Sequence, residues 1–390
     1  MVEFQGSASS IVYYKTELVR LGALGSFRWR RPYVHPVRLR RRALQAATDY
    51  GMKLLSHTVV KGLENIPNKG PLLVLPNHVS NIDGLLVLGM FPRQLEMVGP
   101  GDFKMITLKD WVLRAWGMTM IRRGFADLDG LKALVNHLRN GRDLLMFPSG
   151  GMWEKRRFEC KPGAAYLSQM TGTAILPVAI GGTYLKTKPM FSLRHPRLSI
   201  TFGEVMPAVP PSANRRAREA DFEAANQEIM ARIWDIMEPE DRALYQQWEH
   251  EVFQLQLDFA RFDDGEPVAY DGPALPDLAA LAEFMGKPNL FRPMWQNAEL
   301  PVEPFMERRF FAPIELQMAV CRLLETLRAG SYERYLPYRM GDDATAQVIA
   351  GLQALCGVAE WAMQRDVQVR LIALATDPAT RETRVCETLA

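Results

Sequence analysis

Cysteine is scarce in this chain, with only four among 390 residues. These four (Cys160, Cys321, Cys356 and Cys386) form no C-x-x-C pair, and none stands near a histidine at metal-ligand spacing. The pattern argues against a disulfide framework and favours reduced thiols in a cytosolic compartment. The stretch WEHE at 248–251 lacks the second histidine of a zinc-protease motif, so we expect no metal site.

Long apolar runs and a secretion leader are also lacking. The first ten residues, MVEFQGSASS, contain no basic stretch followed by an apolar one, so we expect no signal peptide. No apolar run approaches the roughly 20 residues needed to span a bilayer. If the protein works at a membrane, we therefore expect it to lie on the membrane surface.

The net charge of +3 hides two halves of opposite sign. Residues 1–200 carry 29 Lys and Arg against 13 Asp and Glu, whereas residues 201–390 carry 18 against 31. The first half should therefore attract anions such as phosphate groups, anionic lipid or nucleic acid. Its basic N-terminal stretch mixes arginines with aromatic residues, namely Arg20, Arg28, Arg30, Arg31, Arg38, Arg40, Arg41 and Arg42 with Tyr13, Tyr14, Trp29 and Tyr33. This mixture suits a membrane interface, although a solvated basic face or an RNA-binding arm would have a similar composition.

Three segments are expected along the chain. Residues 1–60 should form a basic, membrane-facing helical segment that is interrupted near Pro32 and Pro36. Residues 61–210 alternate short apolar runs with amphipathic segments, which predicts an α/β domain with a central mixed, largely parallel sheet flanked by helices. Residues 211–390 should form a mostly helical, acidic extension of unknown role. Within it we expect a long helical stretch over 215–262, helices near 275–286, 313–329 and 342–364, and a hairpin over 367–389.

One stretch, NHVSNIDG at 77–84, places a histidine and an aspartate between two apolar runs. Positions five apart do not share a face of an α-helix, so His78 and Asp83 can meet only if His78 lies in a loop and Asp83 in the first helical turn. The spacing Ser80-x-x-Asp83 is that of a capping box and supports this placement. A neutral imidazole held by a carboxylate is a general base with a fixed tautomer. The alternative is that Asp83 only caps the helix.

Four sequence blocks together resemble the glycerolipid acyltransferase superfamily, whose best-known members are 1-acylglycerol-3-phosphate acyltransferases. NHVSNIDG is similar to the family's N-H-x-x-x-x-D block, and GMTMIRR at 117–123 to its second block. LLMFPSGG at 144–151 resembles the third block, a strand ending in F-P-E-G-T-R. KPGAAYLSQMTGTAILPVAIGGTY at 161–184 resembles the fourth, and FGEVMP at 202–207 resembles the closing G-E-P.

This resemblance implies direct acyl transfer from an acyl-CoA or acyl-carrier-protein thioester to a hydroxyl group, with lysophosphatidate as the first candidate acceptor. His78 would take the hydroxyl proton, and Asp83 would orient it. The residues implied in substrate binding are Asn77, Ser80, Arg123, Ser149, Gly150 and Gly151. No covalent acyl-enzyme is implied, which agrees with the absence of a G-x-S-x-G sequence. No cofactor is expected beyond the acyl donor.

The third block departs from the family pattern, which leaves the acceptor open. Ser149 stands where the family usually has Glu, and Gly151-Met152 stand where it has Thr-Arg. Lys155, Arg156 and Arg157, just downstream, could replace the missing arginine. A lysine that the family often has ahead of the second block falls at Gly101 here, and Lys104 is its nearest substitute. The alternatives are therefore another acceptor (a lysophospholipid, an amino-acid lipid or a glycolipid) or a non-catalytic lipid-binding protein with a degenerate site. The expected partners are the acyl donor, the glycerolipid acceptor and an anionic membrane surface on the cytoplasmic side, where the protein would be peripheral; no nucleic acid is expected.

Overall fold

The structure is a computed structural model and describes residues 36–386, except for 102–113, 125–126, 152–159, 185, 249–250, 288–289, 292–293, 296–297, 301–308 and 329–331. Several sequence predictions lie outside the described residues. They are those for the arginines and aromatic residues before residue 36, for Lys104, Met152, Lys155, Arg156 and Arg157, and for two residues of the WEHE stretch. The side chain of Arg38 is likewise outside the description.

A seven-stranded sheet forms the centre of the first part of the described chain. Its strands are β1 (His57–Lys61), β2 (Leu72–Pro76), β3 (Leu95–Pro100), β4 (Thr119–Ile121), β5 (Asp143–Leu145), β6 (Ala174–Gly181) and β7 (Arg197–Phe202). They lie in the order β1-β7-β6-β2-β5-β3-β4. Neighbouring strands are parallel except β6 and β7, which are antiparallel. The predicted mixed, largely parallel sheet is confirmed.

Helices cover both faces of this sheet. They are α1 (Pro36–Leu55), α2 (Asp83–Met90), α3 (Leu128–Arg139), α4 (Gly163–Thr171), α5 (Thr187–Phe191), α6 (Ala217–Asp235) and α7 (Pro239–Trp248). Strand β2 is buried along its whole length, as expected for a strand with helices on both sides. Its Val74 belongs to the apolar core shared with α1 and α2, whereas Leu73 and Leu75 belong to the core shared with α3, α4 and α6.

The boundary expected at residue 61 does not separate two structural units. Strand β1 begins at His57 and pairs in parallel with β7, so it is an edge strand of the sheet. Met52 of α1 is buried in the domain core, and a β-carbon at Gly89 of α2 would lie 3.2 Å from the Cα of Asp49. This close packing joins α1 to the domain on its inner face and leaves only the outer face for other contacts.

The extension builds a second core around a small antiparallel sheet. Its elements are β8 (Val252–Arg261), α8 (Ala279–Gly286), α9 (Pro313–Arg328), α10 (Tyr332–Met340), α11 (Asp342–Arg365), β9 (Val367–Thr376) and β10 (Thr383–Val385). The predicted terminal hairpin is confirmed by the pairing of β9 with β10. The long helical stretch predicted over 215–262 is wrong for the ten residues Val252–Arg261. Those residues, VFQLQLDFAR, alternate between exposed and buried positions over their first half, and they pair with β9.

Helix α11 is long and apolar enough to cross a bilayer by length and composition alone. The expectation that no segment meets this criterion is therefore wrong. The helix packs in the core of the extension, where Val348, Leu352, Leu355, Val358 and Ala359 are all buried. This packing is that of a core helix.

Candidate functional site

The candidate site lies where several parallel strands end. His78 and Asp83 follow β2, Arg123 follows β4, and the turn from Ser149 to Gly151 follows β5. The carboxyl ends of neighbouring parallel strands meet at one edge of the sheet, and this edge is the usual place for a site in an α/β domain. The sheet order therefore brings together three sequence blocks that are separated along the chain.

His78 and Asp83 form a hydrogen-bonded pair at the start of α2. The Nδ1 atom of His78 lies 2.9 Å from Oδ2 of Asp83, and Asp83 is fully buried. His78 occupies the loop and Asp83 the first helical residue, which is the placement that the spacing argument requires. Because a carboxylate oxygen only accepts, Nδ1 is the protonated nitrogen of the ring. The Nε2 atom is then the proton acceptor, which is the form that a general base needs.

The carboxylate of Asp83 is itself fixed by the backbone. Its Oδ2 atom also accepts hydrogen bonds of 2.7 Å from the N–H groups of Val79 and Ser80. The bond to Ser80 is one half of the predicted capping box; the Ser80 Oγ accepts instead from the N–H of Ile82, at 3.5 Å. These two backbone donors hold the carboxylate in place at the start of α2. The Asp83 carboxylate therefore both caps the N-terminus of α2 and orients His78.

Phe147 contacts the histidine from the third sequence block. The rings of His78 and Phe147 are stacked, with centroids 3.7 Å apart and an angle of 16° between the planes. The sequence alone does not predict this role of Phe147, because nothing in the local spacing relates residue 147 to residue 78. Its position in the F-P-S-G stretch was the available signal.

Asn77 and Ser80 are buried and lie beside the pair. The Asn77 side chain donates to the carbonyl oxygen of Ile180 at 2.9 Å and accepts from the N–H of Ile180 at 2.6 Å. It also contacts the hydroxyl of Tyr245 at 3.3 Å. Asn77 thus ties the end of β2 to β6, which is a positioning contact. The proposed substrate-binding roles of Asn77 and Ser80 stay predictions.

The turn at 149–151 is tightly organised. The Ser149 hydroxyl donates to the carbonyl oxygen of Gly151 at 2.8 Å, and the N–H of Gly150 donates to the carbonyl oxygen of Phe147 at 3.0 Å. Gly150 has a φ of 72°, a conformation that favours glycine. The sequence suggests that N–H groups of this turn meet an anion, but the Gly150 N–H is used within the turn itself.

Arg123 reaches this turn from the loop after β4. Its Nη1 atom donates to the carbonyl oxygen of Gly150 at 3.1 Å, and its guanidinium lies 4.8 Å from the ring centre of Tyr335. Arg122, by contrast, is exposed and pairs with Asp127 at 3.7 Å. The structure therefore places Arg123, and not Arg122, next to the third block.

Three residues of α10 complete this side of the site, and the sequence analysis did not identify them. Tyr335, Tyr338 and Arg339 contact the loops that carry Arg123 and Gly150. They come from the extension, some 190 residues after Gly150 in the chain, and no motif in that region points to them. Within the described ranges, no group of three or more His, Cys, Asp or Glu side chains could hold a metal ion.

Comparison with known proteins places this site in a family context. The sequence profile of the family described as Acyltransferase matches residues 57–181. The chain is 28% identical over 134 residues to the 1-acyl-sn-glycerol-3-phosphate acyltransferase of Borreliella burgdorferi, covering 32% of this chain and 51% of that protein. It is 30% identical over 161 residues to the probable 1-acyl-sn-glycerol-3-phosphate acyltransferase of Mycoplasma genitalium, covering 39% and 59%. The chain thus spans about half the length of the curated relatives it matches.

A solved structure is also similar in part. The crystal structure of the 1-acyl-sn-glycerophosphate acyltransferase PlsC from Thermotoga maritima matches 49% of this chain and 80% of its own length, with 23% identity and a TM-score of 0.37. The four sequence blocks lie within or overlap the matched range, which includes His78, Asp83 and Arg123. Residues 57–181 of this chain are thus similar to the family described as Acyltransferase, in agreement with the resemblance carried by the sequence blocks.

Proposed function

We propose that this protein is an O-acyltransferase that moves a fatty acyl group from an acyl thioester to the hydroxyl of a glycerolipid, with lysophosphatidate as the acceptor. The observation that carries the proposal is the hydrogen bond of 2.9 Å between His78 Nδ1 and the buried Asp83 carboxylate. It fixes the tautomer in which Nε2 accepts a proton. The family match over residues 57–181 and the names of the relatives support the same reaction.

In this reaction, Nε2 of His78 removes the proton from the acceptor hydroxyl as its oxygen attacks the thioester carbonyl carbon. A tetrahedral intermediate forms, the C–S bond breaks, and the thiol leaves with the proton that the imidazolium returns. Asp83 stabilises the imidazolium between these two steps. The products are the acylated glycerolipid and the free thiol of coenzyme A or of the carrier protein, so the reaction needs no covalent acyl-enzyme.

Arg123 is the proposed ligand for the acceptor phosphate. An arginine fork matches two phosphate oxygens, and the contact with Gly150 keeps the guanidinium at the edge of the sheet where His78 lies. The alternatives from the sequence are another lipid acceptor and a degenerate, non-catalytic site. The ordered His78–Asp83 pair favours a working enzyme, and the altered third block is the reason to test several acceptors.

We further propose that the outer face of α1 rests on an anionic membrane surface. Leu39, Tyr50 and Leu54 lie along one stripe of this helix and are 60%, 70% and 53% exposed. Arg40 and Arg42 flank the stripe and are also exposed. An apolar stripe with basic borders is the pattern of a helix that lies in a membrane interface. The proposed peripheral contact is therefore the outer face of α1, next to the acyltransferase domain.

The test is acyl transfer by the purified chain. Acyl-CoA and acyl-carrier protein should each be offered with a panel of acceptors: lysophosphatidate, other lysophospholipids, an amino-acid lipid and monoacylglycerol. We expect a new phosphatidate species with lysophosphatidate and its loss in His78→Ala protein. Transfer that proceeds equally well in His78→Ala would contradict the mechanism, and transfer to a phosphate-free acceptor alone would contradict the proposed acceptor.

A further inference from the structure

Helix α10 of the extension docks on the two loops that bear the acceptor-side residues. A β-carbon at Gly124, in the loop after β4, would lie 2.9 Å from the carbonyl oxygen of Arg334. A β-carbon at Gly150, in the loop after β5, would overlap the hydroxyl of Tyr338. Both glycines have positive φ angles, of 78° and 72°. The loops therefore approach α10 at the points where they carry no side chain.

Aromatic residues of α10 contact cations of the acyltransferase domain. The guanidinium of Arg123 lies 4.8 Å from the ring centre of Tyr335, and Nζ of Lys161 lies 5.1 Å from that of Tyr338. The two tyrosines are three positions apart and thus share one face of the helix. This face of α10 therefore contacts basic residues of the acyltransferase domain directly.

The same helix brings a second arginine to the turn. A β-carbon at Gly151 would lie 3.0 Å from Nη1 of Arg339 and 3.1 Å from Nη1 of Arg123. The Nη1 of Arg339 also donates to the Tyr335 hydroxyl at 2.5 Å, and Arg339 is only 5% exposed. Where the resembled family has threonine, this chain has Gly151, and the guanidinium of Arg339 lies beside it.

Two guanidinium groups beside one glycine are suited to bind a single anion. Each guanidinium carries several N–H donors, so one anion next to Gly151 can accept hydrogen bonds from both groups. Guanidinium forks match the oxygens of a phosphate group in particular. Gly151 lies four residues after Phe147, whose ring is stacked on His78. An anion bound beside Gly151 would therefore lie on the same side of the sheet as the general base.

We propose that Arg339 and Arg123 together bind the phosphate monoester of the acceptor, so that the extension supplies a specificity-determining residue to the acyltransferase site. This inference rests on the proposed function for the identity of the acceptor. It assigns to the acidic extension a role that its overall charge does not suggest.

The experiment measures equilibrium binding without turnover, in a His78→Ala background. Titration calorimetry would compare a short-chain lysophosphatidate with the monoacylglycerol of the same chain length, and inorganic phosphate would test the free anion. We expect Arg339→Gln to weaken lysophosphatidate binding about 10- to 100-fold, the loss typical of a charge-assisted contact. Arg339→Lys should restore only part of it, because the fork is lost. Monoacylglycerol binding should not change.

Arg334→Gln is the matched control, since Arg334 lies on the same helix and its side chain is exposed. Its affinity should stay within about twofold of the parent. Because Arg339 is buried, Arg339→Gln could fail to fold; circular dichroism and thermal melting detect this. In that case Gly151→Ala decides, since its methyl group would displace both guanidinium groups without removing a charge. A selective loss of lysophosphatidate affinity in Gly151→Ala supports the inference.

Unchanged lysophosphatidate affinity in folded Arg339→Gln protein overturns the inference. Equal losses for lysophosphatidate and monoacylglycerol also overturn it, because they would indicate a structural role. Failure of the proposed function gives a different result. Arg339-dependent phosphate binding without acyl transfer by the parent enzyme contradicts the reaction and leaves the anion site standing.

Discussion

The imidazole of His78 lies flat against the ring of Phe147, with centroids 3.7 Å apart. Asp83 holds the edge of the same imidazole through Nδ1 at 2.9 Å. A ring held on its face and on one edge keeps a single orientation, which directs Nε2 toward the place where a substrate hydroxyl must lie. The loop after β5 thus positions a base that belongs to the loop after β2.

Replacing Phe147 should therefore reduce turnover more than substrate binding. A stacked aromatic pair contributes about 0.5–1.5 kcal/mol beyond burial, so Phe147→Leu should lower kcat up to about 10-fold with little change in the acceptor KM. Steady-state kinetics with lysophosphatidate measure both constants. A raised KM with an unchanged kcat would mean that Phe147 binds substrate and does not orient the histidine.

Loss of the histidine or its partner should abolish most of the activity. His78→Ala removes the general base, which typically costs about 10²–10⁴-fold in rate. Asp83→Asn should cost nearly as much, because the amide cannot stabilise the imidazolium. The double variant should be hardly worse than either single variant, since the two residues act as a unit. Additive losses in the three rates would show that they act separately.

The sequence was sufficient for features whose partners are close in the chain. His78 and Asp83 are five residues apart, and helix geometry alone decides where each must lie. Six of the seven strands of the large sheet were recognisable as apolar runs between turn residues. The exception, β1, directly follows α1 and has the short sequence HTVVK, so it was assigned to the helical segment. Its identity as a strand depends on pairing with β7, which lies 140 positions away at His57 and Arg197.

The acceptor side could not be predicted, because its contacts join distant parts of the chain. Arg123 and Arg339 meet beside Gly151 only because the extension folds back on the domain. In the sequence, Arg339 is one of many arginines in a helical stretch. Strand β8 was missed for a different reason. Its charged neighbours resemble the preceding helices, and the alternation that marks a strand is confined to the short stretch VFQLQ.

Arg41 should differ from its neighbours in the basic cluster. Its place in the sequence predicts a membrane-facing residue, but its guanidinium donates to both carboxylate oxygens of Glu96, at 2.8 and 2.9 Å, and to the carbonyl oxygen of Trp116 at 2.8 Å. Burial alone would raise the pKa of Glu96; the hydrogen bond and charge of Arg41, with His137 and Arg142, outweigh it and lower that pKa. This pairing faces inward and is therefore structural.

We therefore expect Arg41→Gln to lower the free energy of unfolding by about 2–3 kcal/mol, less than for a fully isolated buried pair because Arg142 also contacts Glu96 at 2.9 Å. Arg42→Gln, at an exposed neighbouring position, should change it by no more than about 0.5 kcal/mol. Urea unfolding of both variants makes the comparison. Equal stability of the two proteins would mean that the Glu96 pair does not form in solution.

The carboxyl group of Asp143 should make stability depend on pH in an unusual direction. Burial raises its pKa from the ordinary 3.8 to about 6, against the lowering effects of Arg93 and of the hydrogen bond from the Leu72 N–H. Between these two values the folded protein binds a proton that the unfolded chain releases. The contribution of Asp143 to stability is therefore largest below pH 4 and is lost as the pH rises through about 6.

Asp143→Asn removes this titration. Its free energy of unfolding, measured relative to the parent, should rise by on the order of 1–3 kcal/mol between pH 4 and pH 7. The difference between the two proteins isolates Asp143 from the other titrating groups. A relative stability that falls with rising pH would mean that the ion pair with Arg93, at 2.8 Å, outweighs burial and keeps the pKa below its ordinary value.

The exposed stripe of α1 leads to a prediction about membranes that separates charge from apolar contact. Each basic residue near an anionic surface contributes about 1 kcal/mol, and salt screens this contribution beyond a Debye length of about 8–10 Å. Replacing Arg40 and Arg42 together by Gln should therefore remove much of the salt-dependent binding to anionic vesicles. Replacing Leu39, Tyr50 and Leu54 by Ser should instead reduce the binding that survives at high salt, because apolar insertion is not screened. Co-sedimentation with vesicles of neutral and of anionic lipid, across a salt series, measures both parts.

Acyl transfer to a soluble short-chain acceptor is the internal control, since His78 and Asp83 lie outside the stripe and should work at the parental rate in both variants. Salt curves that match the parent for both variants would exclude this face of α1 as the membrane contact, and a loss of activity on the soluble acceptor would show that the substitutions disturb the domain.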